Sequence, residues 1–306
     1  MLPEFAKARG NFMPITLVSY FGGKSARGAA NIIPLFPDHR VYVEPFGGAA
    51  GVLLNKAPSP VEVYNDKSGG IVRLMQVVRD NADELVRRLE LTPYARQEWK
   101  NCQDCYRSEE WAKITDPIEQ ARIFYVVLSQ SFTGTATNGG WSFGGIKHRA
   151  NVAGGFYNLL ENIQIISRRL RSVQIENSEA LGLMERWDNT ETLFYLDPPY
   201  LPETRGQRTK GRKQYEHEMT FEQHEELLNF CLMARASIII SGYSSALYNE
   251  TLLPNGWKLE QFAAYATSAM YTTANGGKGR PFEDIKRTEC IWINPAAAGG
   301  QLKLFG

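Results

Sequence analysis

The chain has 306 residues, 43% hydrophobic and 22% charged, with a net charge of +1. That length can bury a sizeable core, as one large domain with an insertion or as two domains. The near-neutral balance excludes a global basic field as the route to nucleic acid, so such a partner has to be met by a local patch. No apolar run approaches the roughly 20 residues of a membrane span, and residues 1–10 lack the apolar core of a signal peptide, so the expected location is the cytoplasm. Of the cysteines only Cys102 and Cys105 are close in sequence. Zinc would need a second pair of ligands, which the histidine spacing does not supply, and no metal is expected.

In chain order, Gly22-Gly23-Lys24-Ser25 ends like a P-loop, but that motif needs an earlier glycine where Val18 stands. What remains is Tyr20, a permissive glycine pair and the cation Lys24 ahead of a predicted helix, as a ligand-binding turn or a plain surface turn. Residues 40–54 read as a β-rich run, the acid Glu44, the loop Pro45-Phe46-Gly47-Gly48, and the apolar start of a helix. Gly47, Gly48 and Gly51 let the backbone approach a ligand, as in nucleotide-binding turns. Their spacing is not the dinucleotide fingerprint, and an adenosine-type ligand with no pyrophosphate suits the loop better. Residues 60–66 repeat the pattern and end in Asp66, placed to hydrogen-bond a ribose diol or to cap the helix beginning near Lys67.

Ile71, Leu74, Val78, Leu85 and Leu89 recur at helical spacing, with a break near Asn81, and a second helical block covers residues 93–129. These helices interrupt the strand–helix alternation and predict an inserted, segregated module. Residues 129–155 are rich in Gly, Ser, Thr and Asn and carry Phe132, Trp141, Phe143 and the cluster Lys147-His148-Arg149. Such a segment suits contact with phosphates and base edges or wedging between bases; a solvated loop with its aromatics tucked onto its own module is the alternative. Residues 156–170 read as helix.

A strand is expected within residues 172–179, and Leu193-Phe194-Tyr195-Leu196 reads as a fully buried one that ends in Asp197-Pro198-Pro199-Tyr200. An acid, two residues of limited φ and an aromatic ring then sit at the carboxyl end of a strand, where open α/β sheets bind ligands. That combination suits a flat, amino-bearing ring. The loop at 203–213 carries Arg205, Arg208, Lys210, Arg212 and Lys213 beside this tetrapeptide, for phosphate contact or as a solvated charged loop. Thr220 with Gln223 caps a helix over 221–234, Ser237 opens another strand, and two more lie near Lys258 and Cys290. The expected architecture is α/β: a doubly wound sheet of seven strands, with a module inserted after the second strand.

With these segments in place, the chain resembles the D12 class of DNA adenine-N6 methyltransferases, of the Dam type. Tyr20-Phe-Gly-Gly-Lys24 is similar to that family's opening cofactor segment, with Phe21 where Ala is common. Val43-Glu-Pro-Phe-Gly-Gly48 is similar to its S-adenosylmethionine loop, and Asn65-Asp66 to its second-strand acid. The order, with Asp-Pro-Pro-Tyr after an insertion, resembles the α group, and Thr204-Arg205, 215–219, Ser241-Gly-Tyr243, Leu247-Tyr248 and 287–292 resemble segments of phage-type members. Two departures are Ser68, where Asn is frequent, and Glu179-Ala180, where Asp-Phe is usual.

The resemblance implies a Rossmann-like, mixed seven-stranded sheet of the class I S-adenosylmethionine-dependent methyltransferases, formed by residues 1–80 and 172–306. Residues 81–171 would be an inserted, mainly helical DNA target-recognition domain. It implies site-specific methyl transfer from S-adenosylmethionine to a flipped adenine in duplex DNA, with no metal, membrane or obligate protein partner. Asp197 with the Pro198 carbonyl would draw in the amine protons, while Pro199 stiffens the turn and Tyr200 stacks on the base. Glu44 and Lys24 would frame the methionine end of the cofactor, and Asp66 would take its ribose. Glu179 would accept from its adenine amine; Tyr20, Pro45, Phe46, Gly47, Gly48 and Asp197 complete the cofactor site. Trp141, Lys147, Arg149, Arg205 and Arg208 would contact DNA. The rival readings are cytosine-N4 methylation, which Ser in place of Asp197 would favour, a catalytically idle DNA-binding member, and a small-molecule or protein methyltransferase.

Overall fold

The computed structural model describes residues 15–18, 20, 26–108, 110–132, 134–136, 139–143, 151–201, 204, 216–265 and 286–301. Its strands are β1 (Val41–Glu44), β2 (Val61–Asn65), β3 (Val173–Glu176), β4 (Thr192–Leu196), β5 (Ser237–Tyr243), β6 (Lys258–Tyr265) and β7 (Lys286–Ile293). They form one sheet in the order β3-β2-β1-β4-β5-β7-β6. β1 to β5 pair in parallel, and β7 runs antiparallel between β5 and β6. The seven strands are those that the sequence pattern predicts, and the sheet is mixed, as the resemblance implies.

Strand periodicity divides the core between the faces. Leu193 and Tyr195 of β4 enter one apolar cluster with Tyr42, Tyr64 and Ile239, while Phe194 and Leu196 enter the other with Val43, Val63 and Ile240. All of β4 is buried, which requires cover on both faces and explains its unbroken apolar run.

Helix α1 (Ala26–Ile32) precedes the sheet, and α2 (Gly69–Asp80), α3 (Ala82–Glu90), α4 (Arg96–Arg107), α5 (Glu110–Lys113), α6 (Pro117–Ser129) and α7 (Val152–Leu170) lie between β2 and β3. The break between α2 and α3 falls at Asn81, where the backbone leaves the helical region (φ −137°, ψ 36°). Ile71, Leu85, Phe124 and Ile163 from these helices share one continuous cluster with Tyr42 and Tyr64 of the sheet. A buried ion network reinforces that junction: Glu62 of β2 takes both Lys56 and Arg169 of α7.

The opposite face is covered by α8 (Ala180–Trp187), α9 (Phe221–Met233) and α10 (Ala246–Leu252), whose Leu183, Leu227, Leu228 and Leu252 fill the second cluster. Thr220 and Gln223 close the capping box expected at the start of α9. Helix α11 (Pro295–Gln301) follows β7. Two local expectations change. The helix expected directly after β1 is a series of turns over residues 51–55, and α7 begins earlier than position 156, because the Asn151 side chain caps it through Gly154 N–H. Among the described residues no helix is long and apolar enough to cross a membrane.

Candidate active site

From β1 the chain moves outward to β2 and β3, then returns on the other side of β1 as β4. The segments leaving the carboxyl ends of β1 and β4 therefore diverge, which opens a crevice at the topological switch point. A cavity of about 350 Å³ lies there, large enough for a small-molecule ligand. Glu44, Pro45, Phe46, Gly47 and Gly48 from the first loop line it, with Tyr20, Asp66 and Glu179 on the same side and Asp197 and Pro199 opposite.

The β1 loop is fixed by close packing and backbone bonds. Gly47 N–H donates to Asn65 O (2.8 Å), and a Cβ at Gly47 would stand 2.2 Å from Tyr64 Cε2. Gly48 has φ +47° and carries the Tyr20 ring against it. Asp66 receives Gly48 N–H on one carboxylate oxygen and Ser68 N–H on the other, each at 2.8 Å. Asp66 thus joins two roles: it ties the β1 loop to the entry of α2 and it lines the cavity. Burial pushes its carboxyl up, against those two donors. The Asn65 side chain adds a third tie, donating to Pro45 O and Ser178 O and accepting from Ser178 N–H.

Glu44 is buried and accepts from Tyr42 Oη (2.8 Å) and Leu53 N–H (3.1 Å). Burial dominates these bonds and pushes its carboxyl from 4.5 up to about 8. Between those values the folded chain holds a proton that the unfolded chain has lost, so this group's contribution to stability falls as pH rises through the window and levels off above it. Glu44→Gln should flatten that slope; urea titrations at both ends of the window check it, and an unchanged slope would assign it to another group.

Glu179 stands at the lip of the cavity, exposed and paired with Lys67 at 2.6 Å. On the far wall, Asp197 Oδ1 accepts from Ser241 Oγ (2.9 Å) and Tyr200 Oη (3.3 Å). The Tyr200 ring meets Tyr243 edge-on, with centroids 4.7 Å apart. Pro198 and Tyr200 line a small adjoining recess with Tyr243 and share Pro199 with the main cavity.

Trp141 is half-buried in a short hairpin: Phe132 N–H donates to Gly140 O and Ser142 N–H to Gln130 O, both at 2.8 Å. Its ring stacks on Phe143, and the Arg96 guanidinium lies 4.7 Å from its centroid. Phe132 and Phe143 are exposed, while Gly134, Thr135 and Ala136 at the hairpin tip line the cavity. Lys24, Lys147, Arg149, Arg205 and Arg208 lie outside the described residues.

Sequence reasoning noted residues 215–219 as a segment of resemblance but did not place them in the cavity. Glu216, His217, Glu218 and Met219 line the cavity just after the basic loop. Glu216 accepts from Ser68 Oγ (2.7 Å) and Tyr106 Oη (2.8 Å), so Ser68 closes a contact between distant parts of the chain. Asp66, Glu179, Asp197, Glu216, Glu218 and Glu226 line the cavity with Lys67 as the lysine or arginine among its described lining residues, a field that favours a cationic ligand over a phosphate. Among the described residues no three His, Cys, Asp or Glu side chains gather as a metal site.

A family model described as D12 class N6 adenine-specific DNA methyltransferase matches residues 20–262. No curated protein matches the chain.

Proposed function

The chain belongs to the D12 class N6 adenine-specific DNA methyltransferase family, and from that premise we propose how its cavity and Asp197 carry out the transfer. The family's reaction methylates the N6 amine of adenine in DNA and uses S-adenosylmethionine. The observation that carries the assignment is the placing of Asp197, at the end of β4, across one cavity from the β1 loop and Asp66.

The residues present fit the cofactor. The cavity has the volume of a small-molecule site, its glycine loop lets backbone come close, and its carboxylates suit a ligand bearing both an ammonium and a sulfonium charge. When bound, S-adenosylmethionine supplies an electrophilic methyl group that needs no Lewis acid. Glu44 would frame its methionine end, Asp66 would take the ribose diol, Glu179 would take the adenine amine at the lip, and Tyr20, Pro45, Phe46, Gly47 and Gly48 would pack around it; Lys24, which lies outside the described residues, is assigned to the methionine end from the sequence alone.

The N6 amine of adenine is a poor nucleophile because its lone pair is delocalised into the ring. Asp197 and the Pro198 carbonyl would accept hydrogen bonds from its N–H groups and favour the tetrahedral nitrogen, so that its lone pair displaces the thioether of the cofactor from the methyl carbon. The amine lies inside duplex DNA, so the base is flipped out at a cost of a few kcal/mol. Stacking on Tyr200 recovers about 1–3 kcal/mol of that. Residues 81–171 form the target-recognition part, whose Trp141, Lys147 and Arg149 contact DNA together with Arg205 and Arg208 of the later loop. The order of segments supports a Dam-like, α-group member, and the downstream segments support a phage-type one.

Equilibrium dialysis with labelled S-adenosylmethionine tests the cavity assignment. Asp66→Ala should weaken binding by about tenfold or more, the loss expected when hydrogen bonds to a charged group disappear. Unchanged affinity would remove Asp66 from the cofactor site.

A further inference from the structure

Asp197 follows β4, but a neighbouring strand holds its carboxylate. Ser241, buried in β5, stands one residue beyond Ile240, which pairs with Leu196. Its Oγ lies 2.9 Å from Asp197 Oδ1 and 2.9 Å from the Oη of Tyr195, which is buried as well. An ionised carboxylate only accepts hydrogen bonds, and a serine hydroxyl has one hydrogen to give. With its one hydrogen given to Asp197 at 2.9 Å rather than to Leu196 O at 3.4 Å, Ser241 accepts from Tyr195. The polarity of this three-residue chain is set from the carboxylate backwards.

We propose that Ser241, itself oriented by Tyr195, is a positioning residue for methyl transfer, fixing the plane of the Asp197 carboxylate against the target amine. This rests on the assignment of Asp197 as the amine's acceptor. The terminal torsion of an aspartate is soft, with broad preferences rather than sharp wells. Amine alignment demands much tighter placement. Holding Oδ1 fixes where the second oxygen of the rigid carboxylate lies. Tyr200 Oη reaches the same Oδ1 at 3.3 Å, so the oxygen that sets the carboxylate plane is also linked to the ring that stacks on the base. Tyr195 also lines the cavity, so its part in this chain is read from the double change with Ser241 rather than from a loss in Tyr195→Phe alone.

The test measures single-turnover methyl transfer on unmodified duplex DNA, together with binding of S-adenosylmethionine and of DNA. Ser241→Ala should slow transfer about tenfold, the size of one hydrogen bond to a charged group, with both affinities held. Tyr195→Phe should slow it by a smaller factor and should add nothing in the Ser241→Ala background. Two results overturn the proposal: full-rate transfer by Ser241→Ala, or rate losses for the two changes that multiply. If Ser241→Ala does not fold, full-rate transfer by Tyr195→Phe alone overturns it. Failure of the underlying reading looks different, because the unaltered enzyme would then put no methyl on adenine N6.

Discussion

Asp197→Ala should lower the rate of methyl transfer to DNA by about 10³-fold, the loss expected on removing a charged group that acts in the transition state. Cofactor affinity stays close to that of the unaltered protein, because the groups assigned to the ribose and methionine ends sit on the β1 loop and after β2, across the cavity. Folding also survives: Asp197 is only partly buried, and its partners Ser241 and Tyr200 keep their places in β5 and beside Tyr243. Single-turnover kinetics with saturating cofactor separate the two effects. Retained transfer in this variant would remove Asp197 from the mechanism, whereas loss of cofactor binding would move it to a binding role.

Gly47→Ala damages the opposite wall. Its new Cβ would stand 2.2, 2.5 and 2.9 Å from three ring atoms of Tyr64. Tyr64 cannot swing away, since it is fully buried and its hydroxyl donates to Gly48 O at 2.6 Å. The loop must shift instead, at a cost of about 1–3 kcal/mol of stability as in other overpacked cores. The shift also moves Gly48 N–H from Asp66 and distorts the cavity, so cofactor affinity should drop more than about tenfold. Gly182→Ala on α8 is the control: no atom lies within 4 Å of its Cβ, and a helical alanine there should be neutral or stabilising by about 0.5–1 kcal/mol. Thermal melts and cofactor dialysis on both variants check the contrast. A normal cavity and unchanged stability in Gly47→Ala would mean that close packing on Tyr64 is not what requires the glycine.

What was legible in the sequence followed from local physics. β4 announces itself because a strand covered on both faces must be apolar throughout, and its end marks Asp197. The expected placements of Glu44, Asp66 and Asp197 converge in one cavity for the same reason: each closes a strand at the same edge of a parallel sheet. Contacts between segments far apart in the chain were not legible. Ser68 looked like a departure from pattern, yet its hydroxyl meets Glu216, 148 positions away, a pairing that no window of sequence contains. Ser241 was visible as a strand residue and as part of a segment of resemblance, but its contact with Asp197 was not, because that lies in the adjacency of β4 and β5. The turns after β1 were misread as helix, because Val52, Leu53 and Leu54 are all buried and a short apolar run does not distinguish a helix from a packed turn.

The most direct test of the whole account is to incubate the protein with labelled S-adenosylmethionine and unmodified plasmid DNA, digest the product and identify the labelled nucleoside. The account predicts N6-methyladenosine, as its deoxynucleoside, with no label on cytosine, and incorporation slowed by about 10³-fold when Asp197→Ala replaces the unaltered enzyme. Label on cytosine N4, or no transfer into DNA, would contradict it.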